Sequence, residues 1–408
     1  MKKYGLLGKK LGHSYSPQIH AMLADYEYKL YEVPEDKVAD FLKETELGGM
    51  NVTIPYKKTV MESCVYLSET AEKMGCVNTL VKEKDGWHGY NTDYFGFCSL
   101  VRKSGISMEG KKVLVLGSGG ASNTVCRAAE DLGAKEVIVI SRHGENNYDN
   151  LDKHADAGII VNTTPVGMYP DNGHAALDLK AFPECEGVLD VIYNPARTAL
   201  LLQAEELCIK HAGGLYMLTA QAKKSSELFT GSTIDDSETD RITDVLAGEM
   251  GNIILIGMPG SGKTEIGRRV ADKLGRRFVD ADEAIEESAG RPIPEIFKAD
   301  GEECFRQYET KVLAELGKLS GAVIATGGGA VTRACNYPLL HQNGTIVWIK
   351  RALDRLPVDG RPVSQSNPLS ELYEARKDKY AAFADMSVDN DTDIETAAER
   401  IIAELKLK

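Results

Sequence analysis

At 408 residues the chain is too long for one compact core, so two or three domains are expected. Its composition, 43% hydrophobic and 27% charged with 39 glycines, is that of a folded chain and argues against extensive disorder. A formal net charge of −13 speaks against nucleic acid or an anionic membrane as partner, so an anionic small ligand would need local positive charge. The opening MKKYGLLGKKLG has no apolar core of signal-peptide length, and no apolar run reaches the roughly 18 residues that span a bilayer. Eight cysteines, at 64, 76, 98, 126, 185, 208, 304 and 335, form no CxxC pair and have no histidine cluster beside them. They are expected to be reduced, buried thiols in a cytoplasmic protein, with no zinc site.

Short β-type runs alternate with helical stretches along the whole chain: YGLLG (4–8), KVLVLG (112–117), EVIVIS (136–141), GIIVN (158–162) and GVLDVI (187–192), then NIILIG (252–257), AVIAT (322–326) and TIVWIK (345–350). Near-continuous apolar strands between helices predict an α/β protein of parallel sheets covered on both faces. Early in the chain, HSYSP reads as a helix entry, with Ser16 as N-cap and Pro17 in the first turn. Lys57 follows NVTI and Pro55; a lone lysine is usually surface charge, but beside a carboxylate in a cleft it is a proton donor. A division is expected near 100 to 110, and another at 247 to 251, where Ser237 begins a helix that Gly248 ends. This gives units of 1–100 with 215–247 packed back on it, 101–214, and 250–408.

Two phosphate-type turns stand out. In the first, the strand from Lys112 to Leu116 runs into Gly117-Ser118-Gly119-Gly120-Ala121 and a helix from Ser122 to Leu132. Glycines let backbone approach a pyrophosphate, and the helix start offers free N–H groups. Where NAD enzymes place an acid after the next strand, this chain has Ser141-Arg142-His143. A guanidinium at Arg142 suits the 2′-phosphate of NADP. The second turn, Gly257-Met-Pro-Gly260-Ser261-Gly262-Lys263-Thr264, matches GxxxxGK[ST] between a strand and a helix and is the strongest single motif. Its N–H groups wrap the phosphates of ATP, Lys263 reaches the outer ones, and Thr264 binds Mg²⁺.

Eight short motifs in order make residues 1 to about 247 resemble the shikimate dehydrogenases: GHSYSP (12–17), NVTIPYK (51–57), GCVNTL (75–80), GYNTDYFG (89–96), the GSGGA turn, NTTPVGM (162–168), DVIYNP (190–195) and GLYMLTAQA (214–222). The resemblance implies a substrate domain and a Rossmann NADP domain. It implies that Lys57 and Asp93 act on the carbonyl, and that Ser14 and Ser16 hold a carboxylate. Thr53, Asn78 and Gln221 would reach ring hydroxyls, with Tyr193 at the nicotinamide end and Gly214 lining the cofactor. The family usually has Asn-Arg-Thr where this chain has Ser141-Arg142-His143, so one phosphate contact is missing.

Residues 250 to 408 are similar to the shikimate kinases, through FVDAD (278–282), GRPIPEIF (290–297), GEECFRQYE (301–309), ATGGGAV (325–331), DGRPVS (359–364) and RKDKY (376–380). The resemblance implies a small P-loop fold of the nucleoside-monophosphate-kinase type. Asp282 would grip ring hydroxyls and assist deprotonation, and Asp280 would hold water around Mg²⁺; both also suit a helix start. Arg306 and Arg376 would clamp a carboxylate, Gly327, Gly328 and Gly329 would pack on the acceptor ring, and Arg361 in a short lid would close on ATP. Together the resemblances imply NADPH-dependent reduction of 3-dehydroshikimate and ATP-dependent phosphorylation of shikimate. The alternatives are a quinate-using dehydrogenase fused to another small-molecule kinase, and a ligand-sensing regulator without catalysis.

Overall fold

Three sheets organise the chain in the computed structural model, which describes residues 2–12, 14–356 and 369–407. The first has the order β2-β1-β3-β5-β6-β4. Its strands are β1 (Lys3–Gly8), β2 (Glu27–Glu32), β3 (Gly49–Val52), β4 (Cys64–Leu67), β5 (Thr79–Lys82) and β6 (Trp87–Tyr90). It differs from the all-parallel expectation, because β5 runs antiparallel to both β3 and β6. The cause is local. Gly86, at φ 145, turns the chain after Asp85, and Glu83 and Gly86 exchange backbone hydrogen bonds that close a hairpin.

The second sheet is parallel throughout in the order β11-β10-β9-β7-β8, with β7 (Lys112–Leu116), β8 (Glu136–Ile140), β9 (Ile159–Asn162), β10 (Gly187–Asp190) and β11 (Lys210–Ala212). Strand order reverses beside β7, so the glycine turn that follows it opens at the crevice where such sheets bind ligands. The third sheet, also parallel, has the order β13-β14-β12-β15-β16, with β12 (Asn252–Ile256), β13 (Phe278–Asp280), β14 (Val323–Ala325), β15 (Gly344–Lys350) and β16 (Met386–Asp389).

Side-chain alternation shows why these apolar runs need cover on two faces. Along β12, Ile253 and Leu255 pack with Ile266, Val270 and Ile401, from helices Lys263–Leu274 and Ile394–Glu404. Ile254 and Ile256 point the other way, into Ile285, Leu313 and Tyr380. Each such side chain, once fully buried, contributes about 1.5–3 kcal/mol. In the second sheet Val113, Val115 and Val161 meet Phe97 and Leu100 of helix Asp93–Ser104 and Val125 of helix Gly120–Asp131. Helix Leu215–Thr230 lies on the first sheet: the Tyr4 ring stacks on Phe229 at 4.6 Å and its hydroxyl donates to the Phe229 carbonyl.

The chain divides into two compact units: residues 1–167, 174–193 and 203–245, and residues 168–173, 194–202 and 246–408. Helix Asp236–Met250 runs across that division, so Gly248 does not end it as expected. Gly248 serves packing instead, since a Cβ there would lie 2.9 Å from Leu407 Cδ2. Ser16 is likewise not the N-cap; Tyr15 holds that place, and Ser16 and Pro17 form the first helical turn. The helix after the first glycine turn starts at Gly120 rather than Ser122. All eight cysteines are free, but only Cys76 and Cys185 are buried as expected; Cys64, Cys98, Cys126 and Cys304 are half-buried, and Cys208 and Cys335 are exposed.

Candidate functional site

Lys57 owes its direction to its neighbour. The Tyr56 ring is fully buried and its hydroxyl donates to the Val33 carbonyl, while the Lys57 carbonyl accepts from Val77 N at 2.8 Å. With backbone held on both sides, the Lys57 ammonium donates to Asp93 Oδ2 at 2.7 Å. The two side chains are 27% and 19% exposed, open enough to reach a ligand and closed enough to feel each other strongly. Burial alone would lower the Lys57 pKa, but the charge and hydrogen bond of Asp93 outweigh it and hold the ammonium above its ordinary value. Asp93 begins helix Asp93–Ser104, where the positive helix end favours a carboxylate.

Behind the pair lies a hydroxyl-rich network. Asn78 is 3% exposed; its Oδ1 accepts from Thr92 N at 2.7 Å and its Nδ2 donates to Thr92 Oγ1 at 3.0 Å. Thr92 Oγ1 also reaches Gln221 Oε1 at 3.4 Å and Ser225 Oγ at 3.1 Å. The structure therefore joins Asn78 and Gln221 through Thr92, the residue beside Asp93. Ser14 and Ser16 are half-buried, with the Ser14 hydroxyl accepting from Ser16 N at 3.2 Å. Thr53 is half-buried against Gly8, and the Tyr193 ring meets that of Tyr15 edge-on at 6.2 Å.

At the end of β7, Gly117 has φ 103, a backbone that favours glycine, and its N–H donates to the Ile140 carbonyl. A Cβ at Gly119 or Gly120 would meet nothing within 4 Å, so the helix start, with Ala121 in its first turn, faces open space of the kind a pyrophosphate needs. Ser141 N donates to the Asn146 carbonyl, and Arg142 is exposed just beyond β8. Gly214 is packed closely, since a Cβ there would lie 2.1 Å from the Val191 carbonyl oxygen.

The second unit holds a cleft of about 660 Å³ that brings Gly260, Gly262, Lys263, Thr264, Asp280, Asp282, Arg306, Gly327, Gly328 and Arg376 together. Gly257 and Gly262 have φ 146 and 97; a Cβ on them would strike Ile349 O at 2.4 Å and Asn390 Nδ2 at 2.5 Å. Lys263 Nζ donates to the Gly257 and Met258 carbonyls, curling over the loop, and the Ser261 hydroxyl is buried without a partner among the described residues. Thr264 Oγ1 donates to Asp280 Oδ2 at 2.8 Å, while Asp280 Oδ1 accepts from Asp282 N as the helix N-cap. Asp280 is thus a helix cap whose second oxygen accepts from the phosphate-loop threonine. This loop with its hydroxyl and adjacent carboxylate fits a nucleotide phosphate with Mg²⁺, an ion that takes few protein ligands.

Asp282 faces the cleft, and the surrounding protein, then the Asp280 charge, push its carboxyl up to about 6. Arg306 is 6% exposed; its Nη1 donates to Glu309 Oε2 at 2.7 Å and its Nη2 to Glu302 Oε1 at 3.0 Å. Arg376 is equally buried and donates to the Gly328 carbonyl at 3.1 Å. Gly329 leaves room for the guanidinium of Arg306, which a Cβ would approach to 2.2 Å. Sequence reasoning missed Glu309 and Thr92. Glu309 was findable as the i+3 partner of Arg306; Thr92 had no signal beyond its place in NTD. Arg361, like His13, lies outside the described residues.

Comparison with known proteins decides the family. The chain is 35% identical over 267 residues to a shikimate dehydrogenase (NADP(+)) of Clostridium perfringens, covering 60% of this chain and 98% of that one. The chain belongs to the shikimate dehydrogenase family. Residues 6–80 match that family's substrate binding domain. Residues 259–406 match the shikimate kinase family, so the shikimate dehydrogenase part is joined to a shikimate kinase domain. Among solved structures, a chorismate mutase/shikimate 5-dehydrogenase fusion protein from Clostridium acetobutylicum is 38% identical with a TM-score of 0.58, covering 60% of this chain and 97% of that one. The shikimate 5-dehydrogenase of Thermus thermophilus, in complex with NADP(H) and shikimate, is 30% identical with a TM-score of 0.55, covering 60% and 98%. These likenesses support both enzyme activities in one α/β chain, and among the described residues no helix is long and apolar enough to cross a membrane.

Proposed function

We propose that this chain performs two successive reactions on one ring acid: reduction of 3-dehydroshikimate to shikimate, then phosphorylation of shikimate to shikimate 3-phosphate. The observation that carries the proposal is the fusion itself, in which the product of one family is the acceptor of the other. When bound, NADPH supplies a hydride and ATP with Mg²⁺ supplies a phosphoryl group. In this reading residues 1–100 with 215–247 hold the substrate, 101–214 hold NADPH and 250–408 form the kinase.

Lys57 donates a proton to the ketone oxygen as its carbon is reduced, and is recharged from solvent; Asp93 keeps the ammonium charged and aimed. Ser14 and Ser16 hold the substrate carboxylate, and Thr53, Asn78 and Gln221 its hydroxyls, with Tyr193 at the nicotinamide end. Gly117, Gly119, Gly120, Ala121 and Gly214 bound the dinucleotide, and Ser141 and Arg142 meet the 2′-phosphate. In the kinase cleft Arg306 and Arg376 hold the carboxylate beside Gly327 and Gly328. Asp282 accepts the proton of the 3-hydroxyl. The loop from Gly257 through Gly260, Ser261 and Gly262 holds the ATP phosphates with Lys263, and Thr264 and Asp280 hold Mg²⁺.

The test compares wild type with Lys57→Met and Lys263→Met. Lys57→Met should slow NADPH oxidation by 3-dehydroshikimate about 10²–10⁴-fold and spare phosphorylation of shikimate. Lys263→Met should do the reverse. Wild type that consumed neither substrate, or that oxidised quinate faster than shikimate, would overturn this assignment.

A further inference from the structure

β15 ends at Lys350, and the chain then delivers Arg351 to the rim of the phosphate loop. Its position is fixed on both sides: Asn390 N donates to the Lys350 carbonyl at 2.8 Å, and Ala352 N donates to Asp391 Oδ1 at 2.9 Å. Arg351 lines the same cleft as Lys263 and Thr264, and its Nη1 donates to the Gly260 carbonyl at 3.1 Å. Its Nε is buried without an acceptor among the described residues. Among the described residues no carboxylate forms an ion pair with it.

That is an expensive arrangement for an arginine. A guanidinium offers five N–H donors, of which the Gly260 carbonyl engages one group. A half-buried charge with neither counter-ion nor full hydration is unfavourable unless an anion arrives to pair with it. The neighbouring loop is built to receive one, since its glycines and the start of helix Lys263–Leu274 turn N–H groups into the cleft. Lys263 curls over the opposite carbonyls of that loop, at Gly257 and Met258, so the two cations hold different parts of its wall.

We propose that Arg351 is a nucleotide-phosphate ligand of the kinase cleft, using its remaining N–H donors to hold an α- or β-phosphate oxygen of ATP and ADP. It is a binding and positioning residue, with no proton to move, and it secures the nucleotide from the β15 side. The inference rests on the kinase reading of this cleft, and the experiment separates the two.

Binding of MgADP, MgAMP and adenosine to the full chain is measured by calorimetry for wild type, Arg351→Met and Arg351→Lys. Charge-assisted hydrogen bonds of this kind predict a loss of about 10–100-fold in MgADP affinity for Arg351→Met, with partial recovery in Arg351→Lys. Adenosine affinity should not change, KM for ATP should rise while KM for shikimate holds, and dehydrogenase turnover in the same samples should be intact. MgADP affinity within twofold of wild type overturns the proposal. So does an equal loss for adenosine and MgADP, which would mean that Arg351 only braces the Gly260 backbone. Wild type that bound no nucleotide would instead remove the kinase reading itself.

Discussion

The carboxyl of Asp282 is raised from 3.8 to about 6 mainly by its protein surroundings, and under the proposed function one proton there bears on both activity and stability. A protonated Asp282 cannot accept the hydroxyl proton, so kinase kcat/KM for shikimate should fall as pH drops below about 6, with dehydrogenase turnover as the internal control. The stability effect has the opposite sense. The folded chain holds this proton more tightly than the unfolded chain, so stability is lost as pH rises from about 4 through about 6. Asp282→Asn should therefore abolish kinase turnover yet melt higher than wild type at pH 8, with the gap closing towards pH 4. A lower melting point at pH 8 would show the charge to be satisfied in the fold. Burial raises the Glu309 carboxyl as well, but this side chain is 1% exposed and hydrogen-bonded to Arg306 at 2.7 Å. Glu309→Ala leaves the buried guanidinium with Glu302 as its remaining carboxylate and should cost about 1–3 kcal/mol in denaturant unfolding of the second unit.

At the scale of elements, the glycines of the first turn and Gly214 differ in what they do. Gly119 and Gly120 face open space, whereas Gly214, at the start of helix Leu215–Thr230, is pressed against the Val191 carbonyl. Gly214→Ala should therefore destabilise the first unit by about 1–3 kcal/mol and lower NADPH affinity, while Gly120→Ala should affect binding alone. Differential scanning calorimetry with and without NADPH distinguishes them. The parallel strands were legible because NIILI and KVLVL each hold four consecutive apolar residues, Ile253–Ile256 and Val113–Leu116, a pattern that two-sided burial explains. The phosphate loop was legible because its spacing is chemical. The β5–β6 hairpin was not, because its Asp85-Gly86 turn sits inside an alternation that otherwise reads as parallel. The packing of Gly248 inside helix Asp236–Met250 was hidden too, since its neighbour Leu407 is far along the chain. The Thr92 network depends on Ser225, brought in from 133 residues away. Arg351 belongs to no motif, and only the folded cleft gives it a neighbour.

For the whole molecule, the central idea is that one ketone oxygen becomes a hydroxyl in the first unit's chemistry and is phosphorylated in the second's. The two units contain separate cores and separate site residues, so loss of one activity should leave the other, as the Lys57 and Lys263 variants test. The most direct measurement is a coupled assay with the purified chain, 3-dehydroshikimate, NADPH and ATP–Mg²⁺, followed by mass spectrometry. The account predicts shikimate 3-phosphate, formed with one NADPH oxidised per phosphoryl group transferred and absent when NADPH is omitted. Accumulation of shikimate with ATP unspent, or phosphorylated product formed without NADPH, would contradict it.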